Sequence, residues 1–155
     1  MPHLPKLIYV LADGAHARFV ERNADTGDFV SFQHMDGSGQ LDTLREEQRN
    51  EQTGRTFESS GGHRHGVGRD EDVYERAKAD FAAQVAGRLS ELAAQRKPEG
   101  VVLVAPPRLL APLREGLAAS VPVVGELGKD LVKTPDHELG DWLGALAFVP
   151  GTKAD

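Results

Sequence analysis

The hydrophobic pattern of the chain changes period twice. Leu7-Ile-Tyr-Val-Leu-Ala12 is a short apolar run rich in strand formers, the signature of a buried strand. Asp13-Gly14 follows as a tight turn, and Ala17-Arg-Phe-Val-Glu21 alternates as a second strand. After the turn cluster Asn23–Asp28, Phe29-Val-Ser-Phe-Gln-His-Met35 reads as a third. The spacing therefore predicts an antiparallel three-strand meander. From Asp36 to Asp72 no period persists, apart from a short polar helix expected over Leu41–Gln52.

The period then becomes helical. Val73, Ala77, Phe81, Val85, Leu89 and Leu92 fall on one face of a helix expected over Asp72–Arg96, with Lys97-Pro98 as its stop. Val101-Val-Leu-Val-Ala105 is apolar throughout, as a central parallel strand is. Pro106-Pro107 opens a second helix with Leu109, Leu110, Leu113 and Leu117 inward. Val121–Leu127 is a last strand, and Pro122 marks it as an edge or a start. Thr134-Pro135 caps a final helix carrying Leu139, Trp142, Leu143 and Leu146, with Trp142 expected in the core. The order β-β-β, loop, α-β-α-β-α predicts an α/β single domain over residues 1–155. Its sheet is mixed and five-stranded, a meander plus parallel strands flanked by helices, ribonuclease-H-like by analogy of element order.

Composition narrows the function classes. The 155 residues carry a formal charge of −6 and no cysteine. Disulfides, thiolate metal sites and cysteine nucleophiles are excluded, and bulk electrostatics do not favour nucleic acid. The apolar run near the N-terminus is too short for a signal-peptide core or a membrane span, so a cytoplasmic protein without membrane contact is expected.

Against that acidic background, Gly54–Arg69 reads GRTFESSGGHRHGVGR: five glycines, three arginines and two histidines against one Glu58. It falls within the expected loop at 36–72, and a loop that long is functional or disordered. Consecutive glycines such as Gly61 and Gly62 let backbone N–H groups approach an anion or a reacting carbonyl. Arg55, Arg64 and Arg69 supply phosphate contacts, and His63 an acid or base suited to neutral pH. A solvated loop without a ligand is the competing reading, and the two are close to balanced. A His63–His65 metal pair lacks a third ligand, so no metal or other cofactor is expected.

Asp13 ends the first strand and Asp130 follows the last. If strands one, four and five run parallel, both carboxylates lie at their C-terminal edge, where open α/β sheets take ligands, with Pro106 and Pro107 on the same rim. A metal-dependent hydrolase needs several clustered carboxylates, and only these two, with Glu21 a poor third, present themselves. Turn chemistry for Asp13 and a helix-leading loop for Asp130 are the stronger readings. His3, His34 and His137 form no constellation.

The segments LADGAHARFVE, GRTFESSGGHRHG, VLVAPPRLLAPLR and ELGKDL, spread from Ile8 to Trp142, resemble the bacterial host attachment protein family, proteins described as required for attachment to host cells. That family in turn resembles, more distantly, the central domain of archaeal and eukaryotic class I release factors and of Pelota. There a Gly-Gly-Gln loop precedes a long helix and a strand and reaches the ester of peptidyl-tRNA. Here Gly61-Gly62-His63 holds that place, with histidine where the release factors carry glutamine. The resemblance implies an intracellular module that binds tRNA, another RNA or a ribosomal surface through the GGH loop, with ester hydrolysis as its extension. Two alternatives stand beside it: a metal-dependent hydrolase using Asp13 and Asp130, and a non-enzymatic adaptor whose loop orders on a protein partner.

Overall fold

The computed structural model describes residues 5–39, 46 and 59–144, with backbone alone for 59–71. Five strands, β1 (Leu7–Ala12), β2 (His16–Arg22), β3 (Phe29–Asp36), β4 (Gly100–Val104) and β5 (Val123–Leu127), form one sheet in the order β3-β2-β1-β4-β5. β1 and β2 pair antiparallel, as do β2 and β3, while β4 runs parallel to both β1 and β5. The meander and the parallel extension are both as the pattern predicted. β1 and β4 are buried along their full lengths, which is why neither shows polar alternation.

Two helices, α1 (Ser59–Arg96) and α2 (Pro107–Gly116), cover one face. Phe81, Val85, Leu89 and Leu92 of α1, with Leu109 and Leu113 of α2, pack on Ile8, Val10, Ala12, Phe19, Val101 and Leu103. Each of the Val, Leu, Ile and Phe side chains among them contributes about 1.5–3 kcal/mol by leaving water. Two glycines let α1 lie this close to the strand ends. A Cβ on Gly37 would stand 2.6 Å from Cδ1 of Phe81, and one on Gly14 would stand 2.7 Å from Cγ of Lys78. At its far end α1 is anchored by Arg96, whose Nη1 donates to both carboxylate oxygens of Glu21 at 3.0 Å. The same guanidinium lies 3.9 Å from the centroid of the Phe32 ring, a cation–π stack.

The other face of the sheet is covered by the chain after β5. Leu131, Leu139 and Leu143 close over Leu7, Tyr9, Leu11, Val20, Phe29, Val102 and Val104.

Three expectations need correction. The helix expected to begin near Asp72 begins at Ser59, so the backbone of residues 59–71 is helical where a loop was expected. Glycine costs roughly 1 kcal/mol per residue in a helix, but extending a helix that packing has already nucleated is far cheaper than starting one. The rest of the expected 36–72 loop, and the short helix over 41–52, fall outside the described residues except at 36–39 and 46. The final helix takes the form of a 3₁₀ turn, Asp136–Glu138, followed by a π turn, Gly140–Gly144. Within it Leu139 and Leu143 are buried as expected, but Trp142 is 43% exposed. The two leucines take the inward side, and Trp142 turns out beneath Lys129, whose Nζ lies 5.1 Å from the ring centroid.

Candidate functional site

Because β1, β4 and β5 are parallel and β2 is antiparallel to β1, one edge of the sheet gathers several termini. The ends of β1, β3, β4 and β5 and the start of β2 all lie there. Ligands of open α/β sheets bind at such an edge, and three features meet there.

The first is the pair of carboxylates expected to be catalytic. Asp13 Oδ1 accepts hydrogen bonds from the backbone N–H of Ala15 at 2.8 Å and of His16 at 2.6 Å. Its own N–H donates to the carbonyl of His16 at 2.9 Å. This is an Asx turn that reverses the chain between β1 and β2. Asp130 Oδ1 accepts a long bond, 3.4 Å, from the N–H of Val132. Glu21 lies opposite Ile8, at the other end of β1, and is held by Arg96. Among the described residues no three or more His, Cys, Asp or Glu side chains converge as a metal site would.

The second feature is the leading part of α1. The helix is docked on the sheet from Ala77 onward, and Lys78 and Phe81 already lie against Gly14 and Gly37 at the sheet edge. The part before Ala77, about 18 residues, spans roughly 27 Å at the α-helical rise. The backbone of Gly61, Gly62, His63, Arg64 and Arg69 is therefore carried along the helix axis past the edge. Gly61 and Gly62 fall in the first turn, where leading N–H groups have no intrahelical acceptor and the helix dipole presents its positive end. Arg55 lies outside the described residues.

The third feature did not emerge from the sequence. The ladder places His16 opposite Asp36 and Arg18 opposite His34, so four polar side chains share the sheet face away from the helices. Together with Val132 and Lys133 they line a cleft of about 280 Å³. Arg18 is the one buried charged residue among those described, 8% exposed. Its Nη1 donates to the carbonyl of Val132 at 3.0 Å and its Nη2 to the carbonyl of Thr134. Burial pushes the guanidinium pKa down, and Asp136, with Oδ1 3.7 Å from Nη2, opposes that shift.

Asp136 is itself bound by the Ser31 hydroxyl at 2.6 Å and the Ser31 N–H at 3.0 Å. Burial pushes its carboxyl pKa up, but the Ser31 bonds and the charges of Arg18 and His34 outweigh that and leave it below the ordinary value. Asp36 is also held low, first by the Ser38 hydroxyl and then by the Ser38 N–H. His16 stands between two carboxylates, with Nδ1 3.4 Å from Asp13 and Nε2 3.8 Å from Asp36. The first approach is short but is not aligned as a hydrogen bond. Among the described residues, His16 Nδ1 and Arg18 Nε are the buried side-chain nitrogens without a hydrogen-bond partner.

These elements define a single-domain α/β protein with a five-stranded mixed sheet. The chain belongs to the family described as protein required for attachment to host cells, whose model matches residues 8–143. Comparison with curated proteins returns no match. No helix among the described residues is long and apolar enough to cross a membrane.

Proposed function

We propose that the protein is an RNA- or ribosome-associated binding module that grips its ligand through the Gly61–Arg69 segment at the leading end of α1. The observation that carries this reading is positional. A segment rich in glycine and arginine stands at the N-terminal end of a 38-residue helix, beyond the sheet edge that anchors the rest. Phosphate oxygens suit helix N-termini and arginine side chains alike. With a net charge of −6, the remainder of the chain repels a polyanion, so the contact is narrow.

The likeness to the central domain of release factors and Pelota supports the same reading by chain order, although Gly61-Gly62-His63 here forms the start of the long helix that leads into β4 and not a loop ahead of it. The mixed sheet, a meander continued by two parallel strands, supports a ribonuclease-H-like fold. Ester hydrolysis would fall to His63 as acid or base. Asp13 and Asp130 are occupied by turn geometry, and the hydrolase built on them gains no support from it.

The test begins with whether nucleic acid co-purifies with the full chain, read from the absorbance ratio and by mass spectrometry. Filter retention of tRNA is then measured against salt. Retention should fall steeply with salt, and His63→Ala with Arg64→Ala should weaken it further. Retention indifferent to salt and to both substitutions sinks the reading. Recovery of a protein partner without RNA would favour the adaptor instead.

A further inference from the structure

We propose that the leading part of α1 is a helix–coil switch, helical when segment 61–69 holds its ligand and uncoiled when it does not. The ligand rests on the RNA-binding reading above; the free state rests on the structure of α1 alone.

The apolar stripe of α1 outruns the sheet. Val73 continues the spacing of Ala77, Phe81 and Val85, yet it is 38% exposed where those three are buried. Contact with the sheet edge is made by Lys78 against Gly14 and by Phe81 against Gly37. Between Asp72 and Arg76 no residue is buried.

The glycines divide along the same line. Gly61, Gly62, Gly66 and Gly68 precede Ala77, and within α1 Gly87 alone follows it. Each glycine disfavours the helical state about fivefold relative to alanine, while even a good helix former favours it less than about twofold. Continuation from the docked turns spares the nucleation step, so the helix can run out to Ser59, but the residues of the lead do not secure it there. A ligand that binds only the helical form shifts the balance by its differential affinity. Binding then turns a slack arm into a rigid one.

Hydrogen–deuterium exchange of the full chain, free and with tRNA, tests this. In the free chain the amides of residues 61–72 should exchange within about tenfold of unstructured rates, and those of 82–92 more than about a thousandfold slower. Saturating tRNA should slow 61–72 at least about tenfold. Two substitutions in the middle of the lead should act oppositely on tRNA retention. Gly66→Pro should weaken it about thirtyfold, and Gly66→Ala should strengthen it about fivefold. Neither should lower the urea midpoint, because the lead is not packed on the fold. The switch is overturned by a free lead as protected as 82–92, or by bound tRNA that leaves its exchange unchanged. Substitutions without effect on retention, or a midpoint that Gly66→Pro lowers, also overturn it. If tRNA is not retained at all, the reading above fails instead, and the free-chain exchange and the urea midpoint still decide the switch.

Discussion

Arg18 and His34 face the same side of the sheet because the β2–β3 ladder slips by one residue between Phe19 and Val20. From Arg22↔Phe29 to Val20↔Ser31 the pairing is regular. Phe19 then pairs with Gln33, Phe32 is left over, and Arg18 meets His34. Without the bulge His34 would stand opposite Ala17, on the helix face. One inserted residue thus supplies a wall of the cleft, in keeping with the way bulges re-aim side chains. Deleting Phe32 should return the ladder to regular pairing and leave Arg18 opposite His34, whereas deleting Gln33 should put Phe32 opposite Phe19 and likewise keep that pair. Inserting a residue between Phe32 and Gln33 should instead turn His34 away. Loss of the Arg18–His34 contact in nuclear Overhauser spectra on insertion, and its survival on deletion, would show it.

Arg18 ties β2 to the chain more than a hundred residues later through the carbonyls of Val132 and Thr134. Arg18→Met should lower stability in denaturant titration and loosen the covering of Leu131, Leu139 and Leu143. Part of this link depends on pH through Asp136. Its folded pKa lies below the unfolded value of about 3.9, so its contribution is present above that value and lost as pH falls through the folded one. Asp136→Asn should flatten the acid limb of stability against pH below about 4, and an unchanged limb would count against the assignment.

Two glycine substitutions should act with opposite sign. Gly87 is exposed inside α1, and a Cβ there meets nothing within 4 Å. Gly87→Ala should therefore stabilise by about 0.5–1 kcal/mol. Gly37→Ala places its Cβ on the Phe81 ring and should cost about 1–3 kcal/mol through overpacking. Paired urea titrations read both.

Gly61→Ala and Gly62→Ala separate helix stability from ligand grip. Each should raise far-UV helicity, since alanine is favoured by roughly 1 kcal/mol per residue. If the leading turn binds phosphate through close backbone approach, RNA retention should fall even as helicity rises. Retention that rises with helicity would point to side chains alone.

Trp142 is the sole tryptophan of the chain, which makes its exposure directly visible. Its emission should be red-shifted and readily quenched by acrylamide in the folded protein. A blue-shifted, protected signal would place it in the core after all.

Local chemistry made most of the scaffold readable. β1 and β4 announce themselves as unbroken apolar runs, and the Ala77–Leu92 stripe marks the docked face of α1. Asp13 as a turn residue needed only its neighbour Gly14. These features are legible because a strand or helix must bury its apolar positions at a fixed period. What the sequence could not determine depends on register and on distance along the chain. His34 reads as an isolated histidine until a bulge turns it toward Arg18, because a one-residue slip flips every side chain that follows. Val132 and Lys133 join the same cleft, and Asp136 reaches Arg18, only once the segment after β5 folds back over the sheet. Trp142 is turned outward by the leucines on either side of it, and Ser59–Asp72 is helical despite its glycines. In each case a contact or a continuation beyond the local segment overruled the preference of the residues themselves.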